Sequence, residues 1–150
     1  MDHPFSSGAF SSWQFWALAS AGFAALTAIF AKVGVAEINP DFATFLRTAI
    51  ILLILGGIVL ATGQVQSLSA LSGRGLLFLV LSALATGASW LCYFRALKLG
   101  DAAKVAPLDK ASLVLVAIFG VVFLGERLSA LNWAGIVLIA GGIILVTAKI

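Results

Sequence analysis

The sequence is poor in charge: Asp, Glu, Lys and Arg make up 10% of its 150 residues, while 62% are hydrophobic. An ordinary soluble domain uses about 25% charged residues to cover its surface. A soluble domain is therefore excluded, and so is intrinsic disorder, which needs low hydrophobicity. There is one cysteine, Cys92, and one histidine, His3. An intramolecular disulfide is impossible, and two such residues are too few for a metal cage. The six carboxylates form no Ser/His/Asp set and no helical HExxH, and there is no P-loop and no GxGxxG after a strand. No enzyme activity, cofactor or metal is expected. The formal net charge is +3, but the basic residues stand at the ends of apolar runs and form no stripe interleaved with exposed aromatics, so nucleic acid is not an expected partner.

Long apolar runs are what the sequence has. They predict an all-α membrane protein of five transmembrane helices, at about 12–32, 42–61, 75–97, 105–124 and 130–148. Each is close to the ~20 helical residues needed to cross ~30 Å of hydrocarbon, and none alternates as a barrel strand would. Residues 12–150 read as one domain behind a tail, 1–11, whose Pro4, Gly8 and three serines suggest mobility. The first run lacks a basic leader and exceeds a signal-peptide core, so it reads as a span. Gly34 and Asn39-Pro40 break the chain after it. Pro107 fits the first turn of the fourth helix, where N–H groups lack intrahelical partners anyway, and Ser129 fits an N-cap for the fifth.

Five spans put the termini on opposite sides. One side holds Arg74 and Arg127; the other holds Lys32, Arg47, Arg95, Lys98, Lys104, Lys110 and Lys149. Basic residues mark cytoplasmic loops, which gives an N-out, C-in reading. Trp13, Trp16 and Trp133 then form one outer aromatic belt.

Two groups of residues could carry function. Arg47, Arg95, Asp109 and Lys110 lie at one depth, inside the cytoplasmic ends of the second, third and fourth helices. An intramembrane charge is costly and faces a partner or a watery cavity, so these four are candidates for a gate, or for a substrate-anion and proton site. Asp109 and Lys110 point about 100° apart on a continuous helix, so Asp109 is expected to pair with Arg47 or Arg95 across a helix gap, with Arg47 favoured. The alternative is an interfacial set in which Lys and Arg snorkel to the headgroups and Asp109 favours a helix N-terminus. The second group is a polar face on the third helix, Ser82, Thr86, Ser89 and Tyr93, with Trp90 beside it; Ser112 adds to it from the fourth helix. Its bulk suits a cavity wall, and these six residues are the expected substrate pathway. The small residues Ser20, Ala24, Thr27 and Ala31 of the first helix read as a packing face. Glu126, next to Gly125, reads as structural.

The segments Tyr93-Phe94-Arg95-Ala96-Leu97-Lys98-Leu99-Gly100-Asp101, Val105-Ala106-Pro107-Leu108-Asp109-Lys110 and Phe123-Leu124-Gly125-Glu126-Arg127-Leu128 resemble those of EamA-domain proteins in the drug/metabolite transporter superfamily. The glycine-rich run 135–145 does too. Residues 23–29 and 45–48 are similar to the first two helices of the half-size, five-helix bacterial and archaeal branch. The resemblance covers about 14–148. It implies a secondary transporter, on the export side, of small metabolites or drugs in a bacterial or archaeal cytoplasmic membrane. Larger relatives have two inverted five-helix repeats, with the first, third and fourth helices of each lining the pathway, so a second five-helix unit is the implied partner beside membrane lipid and a small-molecule substrate. An inverted pair needs one unit of each orientation. The basic bias here therefore favours a related chain of opposite bias, with a homodimer as the alternative. Four-helix relatives couple to protons through a glutamate in the first helix; this first helix has no acid, which leaves Asp109 or no coupling. A non-transporting membrane scaffold, or an accessory subunit of a larger complex, is the competing reading.

Overall fold

The structure is a computed structural model that describes residues 12–67 and 70–148. The 1–11 tail and Lys149 lie outside those residues. The described residues form six helices: α1 Trp13–Gly34, α2 Pro40–Ala61, α3 Gly73–Leu99, α4 Ala102–Asp109, α5 Ser112–Leu124 and α6 Ala130–Thr147. α4 and α5 together make one span, so the described residues hold five helical stretches long and apolar enough to cross a membrane.

Local chemistry sets the helix starts. Asn39 accepts from the Asp41 and Phe42 amides at 2.9 and 3.3 Å, with Pro40 in the first turn of α2, and its side chain thereby satisfies orphan N–H donors. Ser72 caps α3 through the Gly75 amide at 3.1 Å. Ser129 caps α6 as expected: it accepts from the Asn132 amide at 3.2 Å, while the Asn132 side chain reaches back to the Ser129 backbone. This reciprocal arrangement is a capping box.

The fourth span departs from the sequence reading. The helix starts at Ala102, so Pro107 stands inside α4 and not in its first turn. Proline removes one hydrogen bond to the residue four back and crowds that carbonyl. Just beyond it the ladder tightens: the Lys110 amide reaches the Pro107 carbonyl at 3.0 Å, Ala111 reaches Leu108 at 3.0 Å, and Leu113 reaches Lys110 at 2.9 Å. These are three-residue closures of the 3₁₀ kind, and they divide the span between Asp109 and Ser112.

At its far end α5 stops at Gly125, whose φ of 69° is left-handed, a conformation glycine adopts without penalty. Glu126 folds back against buried Gly120, where an added Cβ would stand 2.5 Å from its carboxylate, in keeping with a structural role. Gly125→Ala should cost about 1 kcal/mol through the positive φ. Equilibrium unfolding in detergent measures it; an unchanged midpoint would show that the turn relaxes.

The helices meet mainly at one end, where α1 and α3 finish and α2 and α4 begin. We call this the basic end. Its core is Ala31, Val35, Phe94 and Leu97, flanked by Ala43, Tyr93, Ala102 and Val105. Lys32 donates to the Leu97 and Gly100 carbonyls, both at 2.8 Å, and Lys98 donates to the Val35 and Ala36 carbonyls at 2.8 and 2.6 Å. Each lysine thus caps the C-terminus of the other's helix, where the dipole favours a cation. Away from this end the helices present apolar side chains outward, as on Leu76–Leu81 of α3. Lipid tails favour such a surface as much as a protein interior would.

Candidate functional site

A cavity of about 450 Å³ opens just above the packed end. Its size lies within the usual range of ligand sites, about 300–1,000 Å³. α1 contributes Ser20, Phe23, Ala24 and Thr27; α2 contributes Arg47; α3 contributes Ser89, Trp90, Tyr93 and Phe94; and the end of the fourth span contributes Asp109 and Lys110. The i, i+4 spacing of Trp90 and Phe94 puts both rings on one face of α3. The Arg47 guanidinium lies over that face, 4.3 Å from the Trp90 centroid and 5.6 Å from that of Phe94. Both distances are within the ~6 Å reach of a cation–π contact. Arg47 therefore turns inward and does not snorkel to the headgroups.

The expected pairing of Arg47 with Asp109 is not formed. Asp109 pairs with its neighbour, the Lys110 ammonium, at 3.3 Å. A separation of about 100° holds on a continuous helix, but α4 ends at Asp109 and the chain turns there, so the flexible lysine reaches back. Arg47 and Asp109 still share the cavity, on separate walls. Arg95 takes another partner: it grips Asp41 with two hydrogen bonds, of 2.9 and 2.8 Å. Both side chains are exposed, and this pair ties α3 to the first turn of α2, away from the cavity. The expected helix bounds of 42–61 leave Asp41 outside α2; the sequence Asn39-Pro40-Asp41 holds the signal that places it inside, a cap residue, an N-terminal proline and an acid in the first turn.

The polar stripe divides. Ser89, Trp90 and Tyr93 line the cavity, whereas Ser82, Thr86 and Ser112 do not and are exposed. The α1 face divides as well: Ala31 is buried in the core as a packing residue, but Ser20, Ala24 and Thr27 are cavity wall. Phe23 and Phe94 stand inside segments that carry the family resemblance but are not among the expected pathway residues, because nothing in the sequence marks their rings, among eleven phenylalanines, as cavity wall. A second, apolar groove of about 310 Å³ runs between α1 and α2, lined by residues such as Phe30, Ile38 and Leu46, and shares Thr27, Arg47 and Phe94 with the first. Arg47 thus stands on the partition between a polar and an apolar compartment.

Two comparisons bear on this arrangement. The EamA-like transporter family matches residues 11–148. A Sinorhizobium protein named "Uncharacterized transporter in cobO 3′ region" is 69% identical over 134 residues, which cover 89% of this chain and 95% of that protein. No solved structure matches.

Proposed function

The chain belongs to the EamA-like transporter family, a membrane transporter family, and on that footing we propose that it is a secondary transporter of small metabolites or drugs, exporting them through the cavity between α1, α2, α3 and the fourth span. The observation that carries this reading is the cavity itself. In a chain almost wholly committed to apolar spans, hydroxyl, aromatic and charged side chains from four of those spans converge on one space. Polar groups at that depth are costly unless they face water or a solute.

The proposal extends to orientation and assembly. The basic end is cytoplasmic by the positive-inside rule, giving an N-out, C-in chain in a bacterial or archaeal inner membrane. A second five-helix unit, a related chain or another copy, closes the pathway. Ser82 and Thr86 support this: they stand exposed on a part of α3 whose side chains have little cover from the other described helices.

Reconstitution into liposomes, followed by counterflow against a metabolite panel, tests the function. Flux of at least one solute above protein-free vesicles is expected, and its absence across a broad panel removes the transport reading. Access to the pathway is tested by Ser89→Cys in a Cys92→Ala background. A water-soluble thiol reagent should label that cysteine at least about tenfold faster than one placed at lipid-facing Leu138. Equal rates would show that the cavity is dry.

A further inference from the structure

We propose that the cavity is a site for small organic anions, with one carboxylate or similar acidic group docked on Arg47 and an apolar body lying against the aromatic wall. The proposal rests on the transport reading and names the substrate class.

Charge comes first. The lining carries two cations, Arg47 and Lys110, and one anion, Asp109, so two minus one leaves a net charge of +1. Lys110 and Asp109 hold each other at 3.3 Å, which leaves Arg47 as the uncompensated charge. Its guanidinium makes no ion pair or hydrogen bond with the described residues; its contacts are the ring faces of Trp90 and Phe94. None of the guanidinium N–H groups is spent on a described hydrogen-bond or ion-pair partner, so its donor edge is open to a ligand. That edge is a rigid fork of N–H donors that matches a carboxylate or phosphate bidentately. The rings fix the fork before a ligand arrives, which lowers the ordering cost of binding.

The same geometry argues against a cationic substrate. A ligand cation would seek an aromatic face or a free carboxylate. Arg47 already covers Trp90, and Lys110 already holds Asp109. A neutral ligand would leave the Arg47 charge without a counter-ion at membrane depth. Ser89 and Tyr93, on the same α3 wall, supply hydroxyl donors to remaining acceptor oxygens. The apolar body has two places to go, the rings of Phe23 and Trp90 within the cavity or the α1–α2 groove on the far side of Arg47.

Three probes of one shape and different charge test the site: 2-naphthoate, 2-naphthalenemethanol and protonated 2-naphthylmethylamine. Each is titrated calorimetrically into the full chain in lipid nanodiscs, with empty nanodiscs subtracted. Naphthoate should bind at least about tenfold more tightly than either of the others, the scale of one charge-assisted hydrogen bond. Arg47→Gln should abolish that preference, and Arg47→Lys should keep part of it. If the amine or the alcohol binds the unmodified chain as well as naphthoate does, the proposal is overturned. The same holds if Arg47→Gln, eluting as the unmodified chain does, keeps the full preference. Should Arg47→Gln fail to fold, the three probes on the unmodified chain decide alone. Flux assays in liposomes separate the two readings. Naphthoate binding without flux of any solute upholds the anion site and refutes transport; flux of amines or alcohols with no preference for the acid refutes the anion site and leaves transport standing.

Discussion

Leu97→Ala should destabilise the bundle by about 2–3 kcal/mol, whereas Leu138→Ala should change it by less than about 0.5 kcal/mol. The two leucines differ in what surrounds them. Leu97 is 0% exposed, at the centre of the packed end, and Leu138 is 76% exposed on α6. In lipid a leucine gains nothing from leaving its solvent, because the tails are as apolar as the protein interior. What it gains is close packing, and truncation leaves a cavity lined by Phe94, Val35 and Ala31 that lipid cannot enter. The expected cost therefore sits at the low end of the soluble range, where the transfer contribution is added to the cavity. Equilibrium unfolding in mixed micelles compares the two. Equal losses would show that the cluster is not what holds the helices together.

The fold was largely legible because a membrane imposes one requirement, apolar helices of spanning length, and the five runs meet it without ambiguity. Family membership was legible from short motifs such as the one from Tyr93 to Asp101. The pairing of charges was not. Equal depth groups Arg47 with Asp109, and both line one cavity, but depth says nothing about azimuth, and a helix break of one or two residues changes azimuth completely. Pro107 marked the region of that break, yet proline is equally at home in a first turn, so the sequence alone could not place it. Arg47 escaped for a different reason. Its partner is a pair of rings, and a guanidinium over aromatic faces leaves no complementary charge in the sequence to search for. The lysines were hidden in a similar way. Lys32 and Lys98 read as topology signals because their acceptors are backbone carbonyls, which every residue possesses.

Those lysines lead to the last expectation. Lys32→Met and Lys98→Met should each cost about 1–2 kcal/mol, and the double substitution should cost more than their sum. Each ammonium donates to two terminal carbonyls of the opposite helix, at 2.6–2.8 Å. Removing it leaves acceptors at a helix end that the dipole has made partly negative, and a hydrogen bond to a charged group is worth about 1.5–3 kcal/mol. Lys32 is the less exposed of the two, so its loss should be the larger. After either single change the other lysine still joins α1 to α3. After both, that end keeps only the apolar cluster, and contacts that share one seam couple by about 0.5–3 kcal/mol. If the lysines acted only as topology signals, the double variant would shift terminal reporter fusions while leaving the unfolding midpoint unchanged. If they cap, the midpoint falls in both single variants and falls further in the double one. The cavity gives an independent readout. Its walls on α1 and α3 stand just above this seam, so loosening it should weaken naphthoate binding without touching Arg47, and restoring one lysine should recover most of that affinity.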